Sequence, residues 1–191
     1  MPGLNYPRPL TEACLEALAL AWRPEVGGDY PFLESLYIDT RWDEFAALGW
    51  PEAPLRAFLA SQFAAQCRHY AQAYRDVSAF RILLHDGRPI GRLYLYDAPM
   101  DSRIIDITLV ASCRGKGIGR TLLCALIADA RATSRTVSIH VESNNPARRL
   151  YDRLGFQEAA EAHPPYLLMQ TQLAKSVIEA SISQARGPTG C

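Results

Sequence analysis

The chain has no surplus of either charge. Its 191 residues carry 20 Lys and Arg against 20 Asp and Glu. That balance excludes broad binding to nucleic acid, which takes excess cations to neutralise phosphates, so no nucleic-acid partner is expected. Cysteine is scarce too: Cys14, Cys67, Cys113, Cys124 and Cys191 are odd in number and form no C-x-x-C pair. Zinc ligands cluster and disulfide frameworks pair evenly, so neither is expected. His69, His85 and His140 are not at ligand spacing, and no metal is assigned. No window reaches the ~18 apolar residues of a membrane span. The opening MPGLNYPRPLTEAC puts prolines where a signal peptide has its apolar core. The reading is a reduced, cytoplasmic protein without a membrane partner. An apolar share of 49% over this length suits one globular domain.

What is present is a change of period. Residues 1–14 are polar and proline-rich and read as an irregular lead-in, ahead of one domain over 15–174 and a flexible tail over 175–191. A strand is expected over Leu18–Val26, interrupted at Pro24. From Tyr30 to Ala47 the residues Phe32, Leu33, Leu36, Tyr37 and Phe45 recur at helical spacing. A second helix follows Pro51 and Pro54 and runs to about Tyr74. The period then falls to two. Strands are expected over Ala79–His85 and Ile90–Tyr96, joined by the turn Asp86-Gly87-Arg88-Pro89, and over Arg103–Val110. A helix over about Gly117–Thr133, a strand over Thr136–Val141, a short helix over Ala147–Leu154 and strands at Phe156–Glu158 and Tyr166–Gln172 complete the order. A hairpin followed by a strand–helix–strand unit gives an α/β, α+β-like mixed sheet flanked by helices.

Between one of these strands and the helix after it lies Arg114-Gly115-Lys116-Gly117-Ile118-Gly119-Arg120. Alternating glycines let backbone approach a ligand without Cβ interference. The first helical turn offers free N–H groups and the positive end of its dipole. With three cations added, the segment reads as a phosphate cradle; the plainer reading is a tight turn with solvated cations. It is not a P-loop, since Gly117 and not Ser or Thr follows Lys116. A dinucleotide fingerprint needs glycine where Arg120 stands, although Glu142 lies at a strand end about 25 residues on.

Arg114, Gly117 and Gly119 meet the pattern [QR]-x-x-G-x-[GA], and Asn144, Ala147, Leu150, Tyr151, Gly155 and Phe156 meet N-x-x-A-x-x-L-Y-x-x-x-G-F. With both segments in this order, the chain resembles the GNAT superfamily of acyl-CoA N-acyltransferases over residues 79–172. The first two helices match by order alone. One departure is Ala111, where the family often has proline.

The resemblance implies the GNAT fold and acetyl-CoA as co-substrate, with direct transfer of its acetyl group to a primary amine of a small molecule or peptide. The amides and cations of Arg114, Gly115, Lys116, Gly117, Ile118, Gly119 and Arg120 would hold the coenzyme diphosphate, aided by Asn144 and Ala147. Backbone groups of Leu109 and Val110 would meet the pantetheine and polarise the thioester. Tyr151 would be the acid for the leaving thiolate, since a phenol stays protonated at neutral pH; by spacing alone it reads as a core aromatic on the face of Ala147, Leu150 and Leu154, and it is the family motif that favours the catalytic role. Asn144 either touches the coenzyme or caps the short helix. Asp106 and Glu142 are the carboxylates offered as base, or else solvent-facing strand residues. The acceptor pocket would draw on Tyr37 and Arg41 from the first helix and Gln62, Gln66 and Tyr70 from the second. His163 and Tyr166 come from the last turn. Arg41 would suit a carboxylate. Pairing into a homodimer through the last strands is compatible with this order. Two rivals stand: a catalytically silent acyl-CoA-binding or regulatory module, and an enzyme that binds NAD or ATP at the glycine stretch.

Overall fold

A computed structural model of the protein describes residues 19–74, 78–159 and 165–172. The expected lead-in over 1–14, His163 and the tail over 175–191 lie outside the described residues. The elements follow the order β1 (Leu20–Pro24), α1 (Tyr30–Ala46), α2 (Glu52–Ala73), β2 (Ser78–His85), β3 (Arg88–Asp97), β4 (Asp101–Leu109), α3 (Ile118–Ala132), β5 (Thr136–Glu142), α4 (Arg148–Arg153), β6 (Phe156–Glu158) and β7 (Tyr166–Thr171). The seven strands are hydrogen-bonded as β1-β2-β3-β4-β5-β7-β6. β1/β2, β2/β3, β5/β7 and β6/β7 are antiparallel and β4/β5 is parallel, so the sheet is mixed, with helices flanking it. This is the GNAT architecture that the two motifs implied.

The chain forms two compact units, residues up to Tyr96 with Ile105–Leu122, and Asp97–Ile104 with the residues from Leu123 on. In the first, α1 and α2 bury two apolar clusters. Leu33 and Phe63 meet Ile82 of β2, and Ile38 meets Leu55 and Leu59. All six are at most 4% exposed, and each such side chain contributes about 2 kcal/mol by leaving water. In the second unit the buried apolar residues are Ile104 of β4, Leu123, Ala125, Leu126, Ile127 and Ala130 of α3, Val137, Ile139 and Val141 of β5, Tyr151 of α4, and Phe156 and Met169 of the last strands.

Two local expectations are corrected. Within the described residues, the strand expected over Leu18–Val26 runs over Leu20–Pro24; Pro24, which has no N–H to give the ladder, lies at the sheet edge opposite Arg81, and one further bond runs from Glu25 N to Phe80 O at 3.0 Å. The turn expected over Asp86–Pro89 contracts to Asp86 and Gly87, with φ of 50° and 72°. This two-residue geometry matches the twist of a hairpin and leaves Arg88 and Pro89 in β3.

β3 carries one irregularity of consequence. Leu83 pairs with Gly91 but Leu84 with Pro89, so Ile90 is the extra residue of a bulge. Its carbonyl accepts from Val110 N at 2.9 Å. A Cβ on Gly91 would sit 2.8 Å from Leu109 Cδ2 and nearer still to the carbonyl of Thr108. Glycine is required there by the close approach of β4.

Candidate active site

The glycine stretch forms the entry to α3. Gly115 and Gly117 have φ of +71° and +85°, where a side chain would be strained, and Cβ positions at Gly115, Gly117 and Gly119 face open space. The first helical backbone bond runs from Thr121 N to Gly117 O at 3.0 Å. The amides of Ile118, Gly119 and Arg120 therefore precede the ladder, as the first turn of a helix dictates. Lys116 and Arg120 are exposed. Arg114 is held from two sides: its Nε donates to Leu109 O at 2.8 Å and its Nη2 to Thr40 Oγ1, on α1, at 3.0 Å. A turn with donors, cations and open space above its glycines fits a diphosphate.

The backbone groups expected to meet the pantetheine are partly engaged within the first unit. Val110 N donates to Ile90 O, Val110 O accepts from Cys113 N at 2.9 Å, and Leu109 O accepts from Arg114. The carbonyls keep a second lone pair, whereas the Val110 N–H is already committed.

Asp106 lies in a buried polar cluster. Its Oδ2 accepts from Arg92 Nη2 at 2.5 Å and its Oδ1 from Thr108 Oγ1 at 2.7 Å. Arg92 Nη2 also donates to Gln66 Oε1 at 2.9 Å. The side chains of Arg92 and Asp106 are 4% and 12% exposed. Burial works against the charge on Arg92, but Asp106 beside it and the nearby Tyr94 hold its pKa above the ordinary value. At Tyr70, burial first, then the Asp106 charge, raises the phenol above the ordinary range. Tyr94 is raised by burial and by its hydrogen bond to Glu25. Both phenols stay protonated at any working pH. Tyr94 stacks on Phe80 with ring centroids 4.3 Å apart and meets Tyr70 edge-on at 6.0 Å.

The expected acceptor residues fall into two groups. Gln66 and Tyr70 turn inward to this cluster, while Gln62 is exposed. Tyr37 packs in both apolar clusters, 5.6 Å from the Phe63 ring. Arg41 lies over the Tyr37 ring at 6.0 Å and donates to Glu44 at 2.8 Å. Arg92, Tyr94 and Glu25 were missed in the sequence. One signal was there, a single Arg inside the apolar run Ile90–Tyr96, because a buried charge needs a partner.

In the second unit, Tyr151 is 5% exposed and its ring is 5.5 Å from that of Phe156. Glu142 ends β5 half-buried, and Tyr166 OH donates to its Oε1 at 3.4 Å. Asn144 is exposed. The residue that caps the turn into α4 is its neighbour: Asn145 Oδ1 accepts from Ala147 N at 2.9 Å, engaging the Ala147 amide. Among the described residues, no group of three or more His, Cys, Asp or Glu is arranged to hold a metal ion, and no helix is long and apolar enough to cross a membrane.

A mixed sheet with an open, cationic glycine turn at the start of its crossover helix defines an α/β protein whose helix entry offers amides and cations beside open space. The profile of the acetyltransferase (GNAT) family matches residues 33–156, and the chain belongs to that family. Solved structures share the fold. The PaiA N-acetyltransferase from Thermoplasma acidophilum, in complex with coenzyme A, is 16% identical with a TM-score of 0.60, covering 80% of this chain and 98% of its own. An acetyltransferase from Thermus thermophilus is 19% identical with a TM-score of 0.59, covering 82% and 98%. A GNAT family acetyltransferase from Elizabethkingia anophelis with acetyl-CoA bound is 15% identical with a TM-score of 0.53, covering 81% and 99%. No curated protein sequence matches the chain.

Proposed function

We propose that the protein is an N-acetyltransferase that moves the acetyl group of acetyl-CoA directly to a primary amine. The observation that carries this reading is the turn at α3, where positive-φ glycines leave open space beside amides that precede the helical ladder. The coenzyme supplies an activated acetyl group as a thioester; the chain's residues hold and orient it. Residues Arg114–Arg120 bind its diphosphate, with Asn144 as a further contact. For that, Arg114 exchanges its bond to Thr40 for phosphate oxygens, a stronger charge-assisted contact. The carbonyls of Leu109 and Val110 retain accepting capacity for pantetheine N–H groups.

The acceptor ammonium loses a proton to a carboxylate, its nitrogen lone pair forms the C–N bond, the C–S bond breaks, and the thiolate takes a proton from Tyr151 OH; the second proton then leaves the nitrogen and restores the Tyr151 phenol. Glu142 and Asp106 are the carboxylates available to the acceptor amine. Direct transfer needs no acyl-enzyme, and Cys113 has no partners for a nucleophile's role among the described contacts.

Calorimetry of the protein with acetyl-CoA, NAD and ATP tests the reading. Micromolar binding of acetyl-CoA alone, lost in Gly117→Glu, is expected: the variant combines strain at φ +85° with a carboxylate at the phosphate site. Such a loss is about a hundredfold or more, matching about 3 kcal/mol. Preference for NAD or ATP, or no coenzyme binding, overturns it.

A further inference from the structure

We propose that Arg92 is the positioning residue of the acceptor site, acting through Asp106, and that the acceptor is a cationic amine without a neighbouring carboxylate. This rests on the transferase reading above. An ionised carboxylate has about four accepting positions. At Asp106 two are taken, by Arg92 Nη2 and Thr108 Oγ1. Accepting capacity is left for an N–H of the acceptor. Asp106 is 12% exposed and within reach of a ligand; Arg92, at 4%, is not. Arg92 therefore acts on the carboxylate and not on the substrate.

A structural role alone does not account for this pair. Buried ion pairs are commonly no more stabilising than apolar side chains of the same volume. Here, moreover, Arg92 Nε is buried without a hydrogen-bond partner, which costs stability. What the arrangement secures is orientation. Arg92 ties β3 to Asp106 of β4 and to Gln66 of α2, so three elements fix one carboxylate.

Charge then selects the acceptor. Asp106 is matched by one guanidinium, Arg92, while a second carboxylate, Glu25, accepts from the neutral Tyr94 hydroxyl in the same cluster. Tyr94 already meets the Arg92 guanidinium at 5.1 Å and stacks on Phe80, which leaves the ring of Tyr70 to attract a cation. Arg41, the side chain suited to an acceptor carboxylate, is engaged with Glu44 and Tyr37. An amine that is cationic overall is favoured; the same amine beside a carboxylate is not.

The test measures thiol release from acetyl-CoA with a diaminoalkane, an amino-acid amide and the matching free amino acid. The variants are Arg92→Gln, Arg92→Lys, Tyr70→Phe, Asp106→Asn and the double variant Arg92→Gln/Asp106→Asn, with acetyl-CoA affinity by calorimetry alongside. The amide is expected to exceed the free acid in kcat/KM by about tenfold or more, as one charge-assisted contact allows. Arg92→Gln raises the acceptor KM by a similar factor, Arg92→Lys recovers part of it, and coenzyme affinity stays within about twofold. Because Arg92 acts through Asp106, the double variant matches Asp106→Asn. If the Arg92 variants melt before assay, Tyr70→Phe, which keeps the ring, carries the test, with an acceptor KM raised severalfold only while Asp106 is present. Multiplying losses in the double variant, a fall in kcat with KM unmoved, or preference for the free acid overturns the proposal while leaving the transferase reading intact. A wild-type protein that releases no thiol with any amine overturns both.

Discussion

Asp101 and Asp106 lie five residues apart on the same strand, and the fold treats them in opposite ways. Asp101, in the second unit, is held by neutral donors: Thr136 Oγ1 at 2.6 Å, Ser138 Oγ at 2.5 Å and Gln170 Nε2 at 3.4 Å. Asp106, in the first unit, is held by a guanidinium with a phenol and a hydroxyl beside it. Neutral hydroxyls stabilise a carboxylate without cancelling its charge, and each can rotate to donate or accept. A guanidinium cancels the charge and cannot change role. The first arrangement ties strands together; the second fixes one group in a polar, aromatic setting. A count of acidic residues on β4 makes the two equal, and only their donors separate them.

The comparison breaks most sharply at Arg92. Arg92→Met leaves the Asp106 carboxylate in place without its counter-charge, and is expected to cost about 3 kcal/mol or more in chemical denaturation. Asp101→Asn keeps shape and one accepting oxygen while its donors reorient, and about 1 kcal/mol is expected. Equal losses would mean that the nature of the donors is immaterial.

Gly91 comes next, because it sets how closely β4 approaches β3 beside Thr108. The Cβ of Gly91→Ala meets backbone that cannot swing aside, so a loss of about 2–3 kcal/mol is expected. The strain falls next to Thr108, a donor to Asp106, so acceptor KM should rise in the surviving protein. A neutral Gly91→Ala would show that β4 shifts freely at this point.

How far the sequence reveals these features follows from the distance over which each is encoded. The turn at Arg114–Arg120 is local: glycines at special φ, cations and a helix start lie within seven residues, so it reads directly. Element order reads well for the same reason, because periods of 3.6 and 2 are local properties. The polar cluster does not. Gln66 and Arg92 are 26 residues apart, Arg92 and Asp106 are 14 apart, and Tyr94 meets Glu25 across 69. The stripe Gln62, Gln66 and Tyr70 is visible as polar, but which members turn inward depends on a guanidinium from another strand. Likewise Asn144 is the motif residue, while the capping oxygen is that of Asn145, and spacing alone does not separate adjacent asparagines.

A third carboxylate sharpens the contrast at the smallest effect. Asp29 accepts from Arg23 through both oxygens, at 2.7 and 2.6 Å, and from Val26 N at 2.9 Å. Unlike Arg92, the Arg23 side chain is 37% exposed, so water already screens much of this pair. The bond from Arg23 and, against burial, that from Val26 hold the Asp29 pKa below the usual carboxylate range. A group whose folded pKa is depressed stabilises the fold above its unfolded value, near ~3.9, and that contribution fades as pH falls through the lower folded value. Asp29→Asn should therefore cost about 1 kcal/mol near neutrality, with the gap to wild type closing as pH falls below about 4. Denaturation midpoints between neutral and acidic pH measure this. A gap that stayed constant across that range would assign the loss to the Val26 contact, which Asn can keep in part, and would remove the charge of Asp29 from the account.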